Sequence, residues 1–348
     1  MISLRRIVLA CAVMLLLLSA CTQTRYTRYQ AGFIGTFDTF IQVIVYAESQ
    51  QEFSRHYTFA REMFEHYHAL FDIYNDHEGI NNLKTINDNA GVAPVVVDRA
   101  IIELLSFSKQ AYEYTDGALN IALGPVLSIW HEYRMHGLRN PENAAIPSYT
   151  ALLVAVKLTD IVDIIIDEQE NTVFLTKYGM SLDVGAVGKG FAAERVVAAL
   201  REQGVTSAVV EAGGDVLAIG GSMAGGGRPW NVGVRHPRTG GIIDSVNILD
   251  KAAVTSGDNN RFYIVDDVAY SHIIDPATLM PPTNFASVTI IHESMLTAQM
   301  LSTALFIMPL EQGFELAEQF QAAVMWVLPD GSVEFNELYR AVSTEFGG

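Results

Sequence analysis

Residues 208–219 read AVVEAGGDVLAI. Two short apolar runs, Ala208–Glu211 and Val216–Ile219, flank the pair Gly213-Gly214, and paired glycines between β-like runs signal a tight turn. The pattern predicts neighbouring strands that run antiparallel. The same texture extends through the second half of the chain, at Ile161–Ile166, Thr172–Thr176, Asn231–Val234, Val246–Leu249, Ala253–Ser256, Phe262–Val265, Ala269–Ile274 and Val288–His292. Upstream, Phe37, Thr39, Ile41, Val43 and Val45 alternate and predict one strand over 36–45.

Helical periodicity fills the rest. Phe53, Tyr57, Ala60, Phe64, Tyr67 and Phe71 recur at spacings of three and four and predict a long helix running to about Tyr74. Further helices are predicted at Arg99–Thr115, Gly124–His136, Val187–Gln203, Ala298–Met308 and about Leu310–Gln321, with a loop-rich stretch from Asn75 to Asn89. Strands joined by tight turns, with helices between groups of them, argue for an α+β fold of largely antiparallel or mixed sheets flanked by helices. A linker-like stretch at Arg139–Tyr149 suggests two lobes within one domain over 32–345, a helical one at about 32–140 and a β-rich one at about 150–345.

The chain has 348 residues, half of them hydrophobic, with 22 Lys and Arg against 39 Asp and Glu and a net charge of −17. That composition excludes a disordered chain. The acidic balance repels phosphodiester backbones and argues against nucleic acid as a partner.

Residues 1–20 have the build of a secretory signal: Arg5 and Arg6, the apolar run Ile7–Leu18, then Ser19-Ala20 before Cys21. The run is well short of the roughly 20 apolar residues that span a bilayer. Small residues before a cysteine match a lipoprotein cleavage site, so Cys21 is the expected lipidation point and residues 21–31 a polar tether. The expected location is the outer face of the cytoplasmic membrane. Of the two cysteines, Cys11 would leave with the signal, so no intramolecular disulfide is expected.

Four windows carry chemistry. Residues 181–191, SLDVGAVGKGF, run from an apolar stretch through a glycine-rich turn into a helix, where free amides and Lys189 suit a phosphate or simply allow close packing. The spacing is neither a Walker loop nor a dinucleotide fingerprint. Glu211–Asp215 and Thr255–Arg261 read as strand-edge turns, at which Gly213-Gly214 would let a ligand approach the backbone. In SHIIDP, residues 271–276, a strand would present His272 with Asp275 three residues on. In the helix from Ala298, Gln299 and Thr303 stand at i, i+4 and could offer oxygens to a hard cation.

In this order the windows resemble the ApbE family, the FAD:protein FMN transferases. The resemblance rests on Ile34-Gly35-Thr36, Tyr74-Asn75, Gly117–Pro125, Asp183–Gly190, Gly213–Asp215, Thr255–Asp258, His272–Pro276 and Ala298–Phe306. It implies an enzyme that binds FAD, uses Mg²⁺ to cleave the pyrophosphate, and attaches FMN through a phosphoester to a threonine of an acceptor flavoprotein, releasing AMP. It also implies FAD contacts at Ile34, Tyr74, Ala118, Leu119, Asn120, Asp183, Lys189, His272 and Ile273. Metal contacts would come from the Ala186 carbonyl, Gln299 and Thr303, and proton transfer would fall to His272 or Asp275. Two residues depart from the family pattern, Asn120 and Gln299, each an amide where the family most often has aspartate. The competing expectations are an FAD-holding lipoprotein without transfer, an FAD pyrophosphate hydrolase giving FMN and AMP, and a simple solute receptor.

Overall fold

The computed structural model describes residues 26–347. The signal segment and Cys21 lie outside the described residues. Within them the chain forms, in order, β1 (Thr27–Thr36), β2 (Thr39–Ala47), α1 (Gln50–Phe71), α2 (Leu83–Asp88), β3 (Val95–Val96), α3 (Arg99–Tyr114), α4 (Gly124–Arg139) and α5 (Tyr149–Ala155). Next come β4 (Ile164–Asp167), β5 (Thr172–Leu175), α6 (Gly188–Glu202), β6 (Ala208–Ala212), β7 (Asp215–Ile219), β8 (Trp230–Arg235), β9 (Ile242–Ile248) and β10 (Ala252–Gly257). The chain finishes with β11 (Tyr263–Val265), β12 (Val268–Tyr270), β13 (Ser287–His292), α7 (Met295–Ile307), α8 (Leu310–Gln319), β14 (Ala323–Val327), β15 (Val333–Phe335) and α9 (Glu337–Arg340). No helix among the described residues is long and apolar enough to cross a membrane.

Eight strands make one sheet in the order β1-β2-β6-β7-β10-β13-β14-β15, antiparallel at every pairing. Its central strands are buried on both faces, so successive residues divide between two cores. Ile41, Val43, Val45, Val210, Leu217, Val254 and Ile290 face one core, into which α1, α6 and α7 pack. Ile44, Val209, Ala218, Ala253 and Met325 face the other, closed by the β8–β9 hairpin and the C-terminal segment around Tyr339. A third cluster packs Val126 and Trp130 of α4 against Tyr263, Ile274 and Leu279.

This architecture is the α+β fold of antiparallel sheets and helices that the sequence predicts, with four corrections. The strand expected over 36–45 holds a hairpin turn, because Phe37 and Asp38 adopt left-handed φ of 51° and 48° and reverse the chain between β1 and β2. The tether expected over 21–31 is already β1 from Thr27 onward, and its Tyr29 stacks on Phe53 of α1. The two lobes are not separate in the core, since β2 pairs with β6 and residues from both halves share the large cluster. Finally, the loop-rich stretch 75–89 contains α2, whose start is fixed by a reciprocal capping box between Asn82 and Thr85.

The Gly213-Gly214 turn between β6 and β7 is required by its backbone, with φ of 65° and 93°. A Cβ on Gly213 would also stand 2.5 Å from Thr39 Oγ1 in the neighbouring hairpin. Gly213→Ala should therefore cost about 1–3 kcal/mol in denaturant unfolding, from left-handed strain plus displacement of Thr39. An unchanged midpoint would show that the two hairpins are not in register as described.

Candidate active site

The β1–β2 and β6–β7 turns lie at the same end of the sheet, where they border a cleft of about 1150 Å³. Asp38 and Thr39 line it from the first turn and Gly213 from the second. Further walls come from the end of β10, the first turn of α6, the middle of α7, the segment 118–124 leading into α4, and loops 181–186 and 271–274.

At the base, Asp215 is almost wholly buried. Its Oδ2 accepts from Lys189 Nζ at 2.7 Å and from Gln299 Nε2 at 2.8 Å, while Oδ1 accepts from the Thr255 backbone N–H at 3.2 Å. The other end of the Gln299 amide, Oε1, accepts from the Gly190 N–H at 2.7 Å. The amide can point only this way, because a backbone N–H must donate and a carboxylate must accept. Gly190 is matched to that contact, since a Cβ there would lie 2.8 Å from Gln299 Oε1.

Two arginines line the cleft, together with the carboxylates of Asp38, Glu132 and Asp183. Arg134 of α4 and Arg261 direct guanidinium groups to carbonyl oxygens, those of Arg261 at 3.3 Å and Asp38 at 3.0 Å respectively. Burial and the neighbouring Arg261 lower the pKa of Arg134. His272 lines the cleft, with Nδ1 buried and without a hydrogen-bond partner. Burial, then the charges of Arg261 and Arg134, push its pKa down to about 4, so the imidazole is neutral at pH 7. Burial raises the pKa of Asp183, even though its Oδ1 accepts from the Gly185 N–H at 2.8 Å.

Most residues expected at the site meet here: Tyr74, Ala118, Leu119, Asn120, Asp183, Ala186, Lys189, His272, Ile273, Gln299 and Thr303 all line the cleft. Tyr74 lies beside His131, ring centroids 5.8 Å apart. Asn120 serves the backbone, donating to the Thr159 carbonyl and capping the turn at Ala122, and so holds segment 118–124 in shape.

Other expectations are corrected. Ile34 is 79% exposed on the edge strand, next to the bulge between Phe33 and Thr36, and does not line the cleft. His272 is on the loop after β12, not on a strand. Asp275 is not a base in the cleft: its oxygens accept from Ala277 N–H and Thr278 Oγ1 and tie down the turn that follows. Nor does the start of α6 offer a row of free amides, because Gly188 donates to Val184 O and Gly190 to Gln299.

Sequence reasoning missed His131 and Arg134, which stand at i, i+3 on one face of α4, and gave no role to Arg261, which lies in the loop after β10. It also missed Asp72. Although burial favours its neutral form, hydrogen bonds from the Tyr74 N–H, the Asn75 side chain, His77 and the Asn75 N–H prevail and lower its pKa. Asp72 thereby sets the loop that carries Tyr74. Its place directly after the long apolar helix face was the available signal.

The expected Mg²⁺ contacts do not fit the ion. Gln299 Oε1 is engaged by Gly190, which leaves two neutral oxygens of the expected set, the Ala186 carbonyl and the Thr303 hydroxyl. Mg²⁺ is generally held by one or two carboxylates together with substrate phosphates. The carboxylate at this spot, Asp215, already carries an ammonium and an amide donor.

The fold and the cleft belong to a flavin transferase. Residues 37–326 match the model of the ApbE family, and the chain belongs to that family. It is 35% identical over 266 residues to the FAD:protein FMN transferase of Treponema pallidum, covering 72% of each chain. It is 33% identical over 245 residues to a protein of the same name from Klebsiella pneumoniae, covering 70% of this chain and 73% of the other. The crystal structure of the ApbE protein from Thermotoga maritima superposes with a TM-score of 0.79 at 30% identity, over 92% of this chain and all of that one.

The depressed pKa of His272 gives a pH signature. The unfolded chain takes up this proton near the ordinary value of 6.5 but the folded chain only near 4. Stability from this residue is therefore complete above pH 6.5 and is lost progressively as the pH falls through that window. Between pH 7 and pH 5 the wild type should lose about 2 kcal/mol more than His272→Gln in urea unfolding. Equal losses would mean that the imidazole is not held neutral.

Proposed function

We propose that this chain transfers the FMN portion of FAD to a threonine hydroxyl of a partner redox protein and releases AMP. One observation carries the reading: in a member of the ApbE family, a single cleft brings together Lys189, Arg134, Arg261 and His272. Splitting a pyrophosphate is chiefly positioning and neutralisation of charge. The threonine oxygen forms a new bond to the flavin-side phosphorus, the anhydride P–O bond breaks, and AMP leaves with the bridging oxygen and its electron pair.

Lys189 and the two guanidiniums supply positive charge for the phosphates in a cleft partly screened from water. His272 accepts the hydroxyl proton. Its affinity for that proton is low in the free protein because it is buried and because two arginines face it, and a bound pyrophosphate, by offsetting the arginines, would raise it. Tyr74 and His131 form an aromatic wall for the flavin or adenine ring.

The proposal includes export and acylation at Cys21, supported by the sequence of residues 1–21. Acylation would hold the protein to the outer face of the cytoplasmic membrane, beside its acceptor.

The test is incubation with FAD and a domain bearing an acceptor threonine, followed by intact-mass measurement. The expected result is a gain of one FMN less water, with AMP released in equal amount. His272→Ala should lower that rate by about 10²–10⁴-fold, the usual weight of a positioned base, while FAD affinity stays within a few-fold. An unchanged rate would remove His272 from proton transfer. AMP without a mass gain would replace transfer by hydrolysis, and FAD retained intact would point to a flavin holder.

A further inference from the structure

We propose that the reacting centre of this chain is built on its own ammonium ion, Lys189, and that Gln299 locks it against a divalent cation. The inference rests on the FAD chemistry proposed above, but its main test does not.

Three contacts carry it. Lys189 Nζ and Gln299 Nε2 share Asp215 Oδ2, and Gln299 Oε1 holds the Gly190 N–H one residue beyond Lys189. Lysine, carboxylate, amide and helix start thus form a closed chain in which every group has a partner of the right sense. Gln299 is only 3% exposed on a helix that is buried nearly all round. A divalent ion entering between Asp215 and Thr303 would have to displace the ammonium or turn the amide. Turning the amide would set its NH₂ against the Gly190 N–H and its oxygen against the Asp215 carboxylate, two repulsive contacts where there were two bonds. The ammonium is a compact point charge on a flexible stem, so it can follow a phosphate oxygen while its carboxylate partner stays fixed.

The metal question is decided by titrating the full-length chain, purified in detergent, with Mn²⁺ and counting free ion by electron paramagnetic resonance. Wild type should show no saturable site below about 1 mM, whereas Gln299→Asp should gain one at least about tenfold tighter. Gln299→Glu serves as a second variant if the first does not fold. Saturable micromolar Mn²⁺ binding by wild type that Asp215→Asn removes would overturn the proposal.

The catalytic half is read from AMP release with FAD. The wild-type rate should be the same within twofold in EDTA and in millimolar Mg²⁺, and Lys189→Met should lose it in both. An EDTA-sensitive wild type rescued by Mg²⁺ would overturn the proposal. If no AMP and no mass gain appear under any condition, the transferase reading fails while the Mn²⁺ titration still decides the metal question.

Discussion

The carboxylate of Asp215 draws together elements that are far apart in the chain. It begins β7, yet it is bonded to the first turn of α6, to the middle of α7 and to the backbone of β10. A nearly buried charge must be paired, and removing one partner of such a pair costs about 3–5 kcal/mol. The requirement therefore fixes more than a local contact. It sets how deep α6 and α7 sit over the sheet, and with them the base of the cleft. The tight turns of the two hairpins then supply the rim, because each brings backbone to the same end of the sheet.

Much of this was legible in the residues. The 3.6-residue period of α1 and the alternation in β2 record burial of one face, and the short apolar runs of β6, β7, β10 and β13 record strands buried between two cores. The cleft was legible as an ordered set of windows, most of which converge. What stayed hidden depends on partners distant in sequence. Nothing in the SHIIDP stretch tells that Asp275 turns back onto Ala277 and Thr278, or that two arginines from other elements face His272. The amide at position 299 was visible as an unusual residue, but its fixed orientation follows only from Gly190 and Asp215 meeting it from two sides. The turn at Phe37-Asp38 escaped notice because it lacks the glycine or asparagine that such turns favour, and alternation was read straight through it.

The charge distribution gives the site its character. The chain as a whole is strongly acidic, and several of its surface Lys and Arg side chains are paired with carboxylates, as in Arg238 with Asp258 or Arg201 with Asp250. Arg134 and Arg261 are different, since their hydrogen bonds go to carbonyl oxygens and, for Arg134, also to the His131 ring nitrogen, not to a carboxylate. Two guanidiniums that are not tied to a carboxylate stay available to an anion that enters the cleft.

Strand β1 has a consequence for how the molecule would work at a surface. It starts at Thr27, opposite Ala47, and ends at Thr36 beside the cleft. At roughly 3.4 Å per residue the strand measures about 30 Å from end to end. A lipid on Cys21 would be joined to its far end by a leash of a few residues, so the fastened end and the reacting end would be opposite poles of one rigid strand. Such a protein would work at arm's length from the bilayer, and its acceptor would need a threonine raised to that height on a folded domain of its own.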